Sequence, residues 1–145
     1  MATQSPFITH RAKVLGHYST AYWLRDVVMA LHSGGTHPVG LSRLTTTDEA
    51  HFTAFKQMVD HYRRVGENDP ALHALVSDIE ARCEEERSAQ ERSNRLYAWN
   101  AEARGHLSTL GRPSDVVDDR YDWFEHRFDV GRTPVEAVTE FAALE

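Results

Sequence analysis

The sequence predicts an all-α fold: a single-domain, irregular bundle of about five helices, with one long charged helix over about 70–110. Three observations lead there. Apolar residues recur at steps of three and four, as in Phe52, Phe55, Met58, Val59, Tyr62 and Val65, which places them on one helical stripe. Glycine, proline and capping residues punctuate the chain at helix-length intervals. No stretch keeps the apolar–polar alternation of a strand, and no Asn-Gly or Asp-Gly hairpin turn occurs.

Each element follows from local chemistry. Residues 1–7 read as a loosely ordered start, and helical character begins near Ile8 or His10, with Gly16 as a weak point. Ser19–Leu31 is the most apolar stretch, interrupted only by Arg25 and Asp26, and predicts a central, buried helix. Ser33-Gly34-Gly35 ends it, and residues 34–45 form a connector. Thr46 with Glu49 fits a capping box for the Phe52–Val65 helix, which Gly66 closes.

Asp69-Pro70 opens the long helix, an aspartate cap followed by a proline whose missing donor would go unpaired anyway. Its apolar face, Leu72, Leu75, Val76 and Ile79, gives way to a polar stretch from Glu80 to Arg95 that holds no large aliphatic or aromatic residue. Opposite charges sit at helical spacing there: Asp78/Arg82, Arg82/Glu86, Arg87/Glu91 and Glu91/Arg95. Apolar residues return at Leu96, Tyr97, Trp99 and Leu107. At 1.5 Å per residue such a helix is roughly 50–60 Å long, with Gly105 its expected break and Gly111-Arg112-Pro113 its stop. Ser114 is the expected cap of a fourth helix, with Val117, Tyr121, Phe124 and Phe128 on its apolar stripe and Val116 and Trp123 off it. Thr133-Pro134-Val135-Glu136 is a second capping box, opening a last helix with Val135, Val138, Phe141 and Ala142 inward. The last two helices and the Phe52–Val65 helix are expected to pack around Ser19–Leu31.

Composition narrows the function classes. The chain has 145 residues and a net charge of −6, which argues against a dedicated nucleic-acid binder. Fourteen of its sixteen basic residues are arginine. The single cysteine, Cys83, allows no intrachain disulfide. The start of the chain carries no secretion-signal pattern, and the longest apolar run, Val27–Leu31, is far short of a membrane span. A cytoplasmic protein with no membrane contact is the expectation.

The chemistry-bearing candidates are few. Nine histidines stand at 10, 17, 32, 37, 51, 61, 73, 106 and 126, some beside carboxylates at helical spacing: Asp48/His51, Asp69/His73, Glu102/His106 and Asp122/His126. A di-metal bundle needs Glu-x-x-His pairs converging from several helices, and that signature is absent, so no metal or other cofactor is expected. Cys83 is followed by Glu84, Glu85 and Glu86, which disfavour its thiolate. No nucleophile elbow, His-Glu-x-x-His or Cys-x-x-Cys motif occurs. His61-Tyr62-Arg63-Arg64 reads as basic residues complementing a helix C-terminus.

Two features point to protein contacts. One is the polar part of the long helix, represented by Glu84, Glu85, Arg87 and Glu91, which could also line a homodimer. The other is the acidic fourth helix, with Asp115, Asp118, Asp119, Asp122, Glu125 and Asp129 around Trp123, a residue type favoured as an interface anchor. The first expectation is therefore a non-enzymatic protein-binding or regulatory protein acting through an acidic helical surface on a protein partner, a basic one by charge. Inhibition of a nucleic-acid-binding complex, as by anti-CRISPR or antirestriction proteins, is the analogy in size and charge, with no shared motif. A His/carboxylate metalloprotein or enzyme and a self-associating structural subunit are the alternatives.

Overall fold

A computed structural model describes residues 3–144. The elements are α1 (Pro6–Thr9), α2 (Arg11–Val14), α3 (Ser19–His32), α4 (Glu49–Val65), α5 (Pro70–Thr109), α6 (Val116–Asp119), α7 (Tyr121–Asp129) and α8 (Pro134–Ala143), with short 3-10 turns at Leu41–Thr46 and Gly66–Asn68. The fold is all-α, without a strand among the described residues. The long helix is continuous over 40 residues, and its middle contributes to no core: between Ile79 and Leu96 no residue is buried. Gly105 does not break it. The glycine penalty in a helix interior is only about 1 kcal/mol, and the buried neighbours Ala103 and Leu107 hold the turn in place.

The helices divide into two compact units, residues 1–85 and 86–145. In the first, α3 buries Trp23, Leu24, Val27 and Val28 with Met58 of α4 and Leu72, Leu75, Val76 and Ile79 of α5. Full burial of each such side chain contributes about 1.5–3 kcal/mol. Of the expected loose start, Met1 and Ala2 lie outside the described residues, and the rest is instead an anchor: Phe7 is buried in this core, and Ser5 caps α1 by accepting the Phe7 N–H at 3.3 Å. Arg25 is buried too. Its guanidinium donates to the carbonyls of Val14 (3.0 Å), Leu15 (3.4 Å) and Gly16 (2.8 Å), satisfying the C-terminal end of α2, and lies 4.7 Å from the Tyr22 ring centroid.

Asp48, not Thr46, caps α4, accepting the His51 N–H at 3.1 Å. The threonines are used otherwise: Thr45 donates to the Ser42 carbonyl, and Thr46 and Thr47 both donate to that of Arg43, winding the 3-10 turn that precedes the helix. Trp23 Nε1 pins this connector by donating to the Gly40 carbonyl at 2.8 Å.

In the second unit Ala103 and Leu107 of α5 pack with Val117, Phe124, Ala137, Val138 and Phe141. The C-terminal helices thus build a core of their own rather than gathering around α3, because the apolar residues of α5 stand at its two ends with a polar stretch between. Two glycines turn the chain. Gly111 (φ 71°) and Gly131 (φ 80°) take the left-handed conformation, and the following Arg112 and Arg132 donate back to the carbonyls of Leu107 and Arg127, the Schellman pattern. The Thr133/Glu136 capping box forms as its sequence predicts. Val135, by contrast, is exposed, and Ala137, Val138 and Phe141 supply the inward face.

Candidate protein-binding surface

The acidic segment is not one helix. The chain breaks at Arg120 (φ −119°, ψ 35°) between α6 and α7, and neither Ser114 nor Asp115 gives a side-chain cap. The break resets the helical phase, so Val117 and Phe124 stay buried while Tyr121 turns out to solvent. It also opens a concavity of about 370 Å³ lined by Asp118, Asp119, Arg120, Tyr121, Asp122 and Trp123. Asp115 and Glu125 do not line it.

Internal partners sort the carboxylates. Asp118 takes Arg104 of α5 at 2.6 Å. Glu125 and Asp129 share Arg92 of α5, at 3.2 and 2.6 Å, with its guanidinium 5.6 Å from the Phe128 ring centroid. The hydrogen bonds to Asp129 and then Glu125 hold Arg92 more firmly protonated than usual. Asp119 and Asp122 make no ion pair among the described residues. The sequence does not reveal the roles of Arg92 and Arg104, whose partners lie 14 to 37 positions away, beyond helical-neighbour spacing.

Trp123 is half-buried. Its ring meets Phe124 edge-on at 5.0 Å and Phe141 at 5.4 Å, and Arg127 covers it at 4.5 Å. It widens the buried face and still lines the concavity. On the long helix, Glu84, Glu85, Arg87 and Glu91 are exposed, and Arg87 pairs with Glu91 at 3.3 Å. Asp78, expected to face Arg82, is taken by Arg11 at 2.9 Å.

The histidines disperse. His61 and Ser5 both bond Asp69 Oδ2, at 2.8 and 3.0 Å, while the other oxygen caps α5 through the Ala71 N–H at 2.9 Å. Burial pushes the Asp69 carboxyl up, but the Ala71, His61 and Ser5 hydrogen bonds together outweigh it and leave the group below its ordinary value. The partner of Asp69 is thus His61, not His73, which instead meets the His32 ring edge-on at 5.2 Å. His37 pairs with Asp26 at 2.9 Å and His10 with Gln57 at 2.6 Å. Among the described residues no three His, Cys, Asp or Glu side chains converge to hold a metal ion. Arg63 and Arg64 both fold back on Asp60, at 3.4 and 3.2 Å, which leaves little of a basic nucleic-acid face there.

No helix of the described residues is long and apolar enough to cross a membrane. No protein-family model, curated protein or solved structure matches the chain.

Proposed function

We propose that the protein is a protein-binding, regulatory protein that engages a basic partner through the α6–α7 concavity. The observation that carries this reading is the pair Asp119 and Asp122, which line a surface recess with Arg120 and Trp123 and make no ion pair among the described residues. Other carboxylates of the segment are bound by Arg92 and Arg104 and serve the fold. A recess with two carboxylates free of ion pairs suits an arginine or lysine side chain, which is drawn to it by charge. A nucleic-acid-binding protein is a partner class with such a surface, and occupying it would block its nucleic acid.

The test is capture of partners from lysate by the tagged chain at moderate salt, in parallel with an Asp119→Asn/Asp122→Asn double variant. A partner held near stoichiometry by the parent and lost by the variant supports the surface. Equal capture by both removes it.

A further inference from the structure

Away from the acidic surface, three side chains of the first unit form a hydrogen-bonded relay. Tyr18 Oη lies 2.7 Å from His51 Nε2. His51 Nδ1 lies 2.7 Å from Asp48 Oδ2 and 2.9 Å from Oδ1. The proton positions follow from chemistry. A carboxylate only accepts, so Nδ1 carries the hydrogen that Asp48 receives. In neutral imidazole Nε2 is then the bare nitrogen, and it accepts from the Tyr18 hydroxyl. The Lys13 carbonyl, at 3.4 Å from Tyr18 Oη, is the longer alternative acceptor. The hydrogen bond from His51, first among its causes, holds the Asp48 carboxyl below its ordinary range.

This is a nucleophile in reach of a base, and a base oriented by a third group. The backbone fits it. Asp48 and His51 stand one turn apart at the start of α4, where Asp48 is also the helix cap. The Tyr18 ring lies against Gly16 so closely that a Cβ there would come 2.3 Å from Tyr18 Cε1, so only glycine admits the ring in this position. Tyr18 is 43% exposed. The sequence holds Asp48/His51 as a spaced pair, but Tyr18 joins it only in three dimensions.

We propose that Tyr18 is a nucleophile toward activated acyl esters, with His51 as general base and Asp48 positioning the imidazole. The relay itself carries the Asp48 carboxylate, with Glu49 next in the chain, which favours a neutral acyl donor over an anionic phosphoryl one. In the step, Tyr18 Oη attacks the carbonyl carbon and its proton passes to His51 Nε2. The carbonyl carbon's bond to the leaving oxygen breaks, and that oxygen departs with the electron pair. The acyl group remains on Tyr18 as an ester, and Asp48 faces the imidazolium.

The test uses the full chain with p-nitrophenyl acetate at neutral pH. Phenolate release is followed, and acetylated peptides are mapped by mass spectrometry, with fragment ions separating Tyr18 from Tyr22. Tyr97, 77% exposed, is the internal reference for an unassisted tyrosine. General-base assistance is worth about 10²–10⁴-fold, so Tyr18 is expected to acetylate at least about a hundredfold faster than Tyr97. His51→Gln should bring Tyr18 to the Tyr97 rate with Tyr97 itself unchanged, and Gly16→Ala, which keeps all three residues but displaces the Tyr18 ring, should slow Tyr18 as well. Equal rates for Tyr18 and Tyr97 in the parent overturn the proposal. So does a fast Tyr18 that His51→Gln does not slow, with circular dichroism confirming that the variant is folded.

Discussion

Residues 3–85 and 86–144 share one helix and solve the problem of burial differently. The first unit closes an aliphatic core and threads polar side chains through it: Arg25 satisfies the end of α2, and Asp69 joins the N-terminal segment, α4 and α5 by three hydrogen bonds. The second is smaller and aromatic. Phe124 sits at its centre, within 5.0–6.4 Å of the Trp123, Phe141 and Trp99 rings, and its charged pairs, Arg92 and Arg104 with their carboxylates, lie toward the surface. A core dense in specific hydrogen bonds resists rearrangement but loses stability when one partner goes. A core of few large rings concentrates its stability in one or two side chains.

The sharpest way to break that contrast is Phe124→Ala, which removes a fully buried ring and should cost about 3–5 kcal/mol. Urea unfolding followed by tryptophan fluorescence checks it. An additional early transition would show that the second unit melts alone, whereas one shifted transition would show that α5 couples the two.

Asp69→Ala tests the polar side and should cost about 1–3 kcal/mol at neutral pH, since it uncaps α5 and strands His61 and Ser5. The carboxyl's folded pKa is depressed, so its contribution is present above the unfolded value and is lost as pH falls through the folded one. The difference between parent and variant should therefore shrink below about pH 4, and a difference constant down to pH 2 would show that the charge is immaterial.

Asn100 of the second unit is a buried amide whose Oδ1 has no hydrogen-bond partner among the described residues. Asn100→Leu should raise stability by about 1 kcal/mol, since the unpaired group is removed; thermal unfolding that drops instead would show the site too tight for the larger side chain.

The smallest effect falls on the helix both units share. A Cβ at Gly105 meets nothing within 4 Å, so Gly105→Ala should stabilise by about 0.5–1 kcal/mol, read as a rise in the urea midpoint.

Local rules carried far along this chain. The long helix, its Asp69 cap, the stop at Gly111 and the Thr133/Glu136 box all depend on residues within a few positions of one another, and each is where the sequence puts it. Rules competing at one place misled. Thr46 and Asp48 both suit a cap, and the choice fell to Asp48 because the 3-10 turn consumed the threonine hydroxyls. Phe7 looked idle because nothing near it in sequence reveals the cavity it fills.

The candidate surface divides the same way. Its acidic character is legible as composition, since six carboxylates lie between Asp115 and Asp129 inclusive. Which of them remain unpaired is not, because the arginines that neutralise Asp118, Glu125 and Asp129 come from α5.

By itself, the sequence determined that the chain is helical, where most helices start and stop, and that the middle of α5 has no large apolar residues to give to a core. Those outcomes rest on backbone capping and side-chain periodicity, which act within a turn or two. Only the tertiary structure decided that the apolar ends of α5 join separate cores, that Arg120 breaks the acidic helix into a recess, and that Tyr18 meets His51. These depend on contacts between residues far apart in the chain, where the packing of whole helices selects one partner among many chemically equivalent ones.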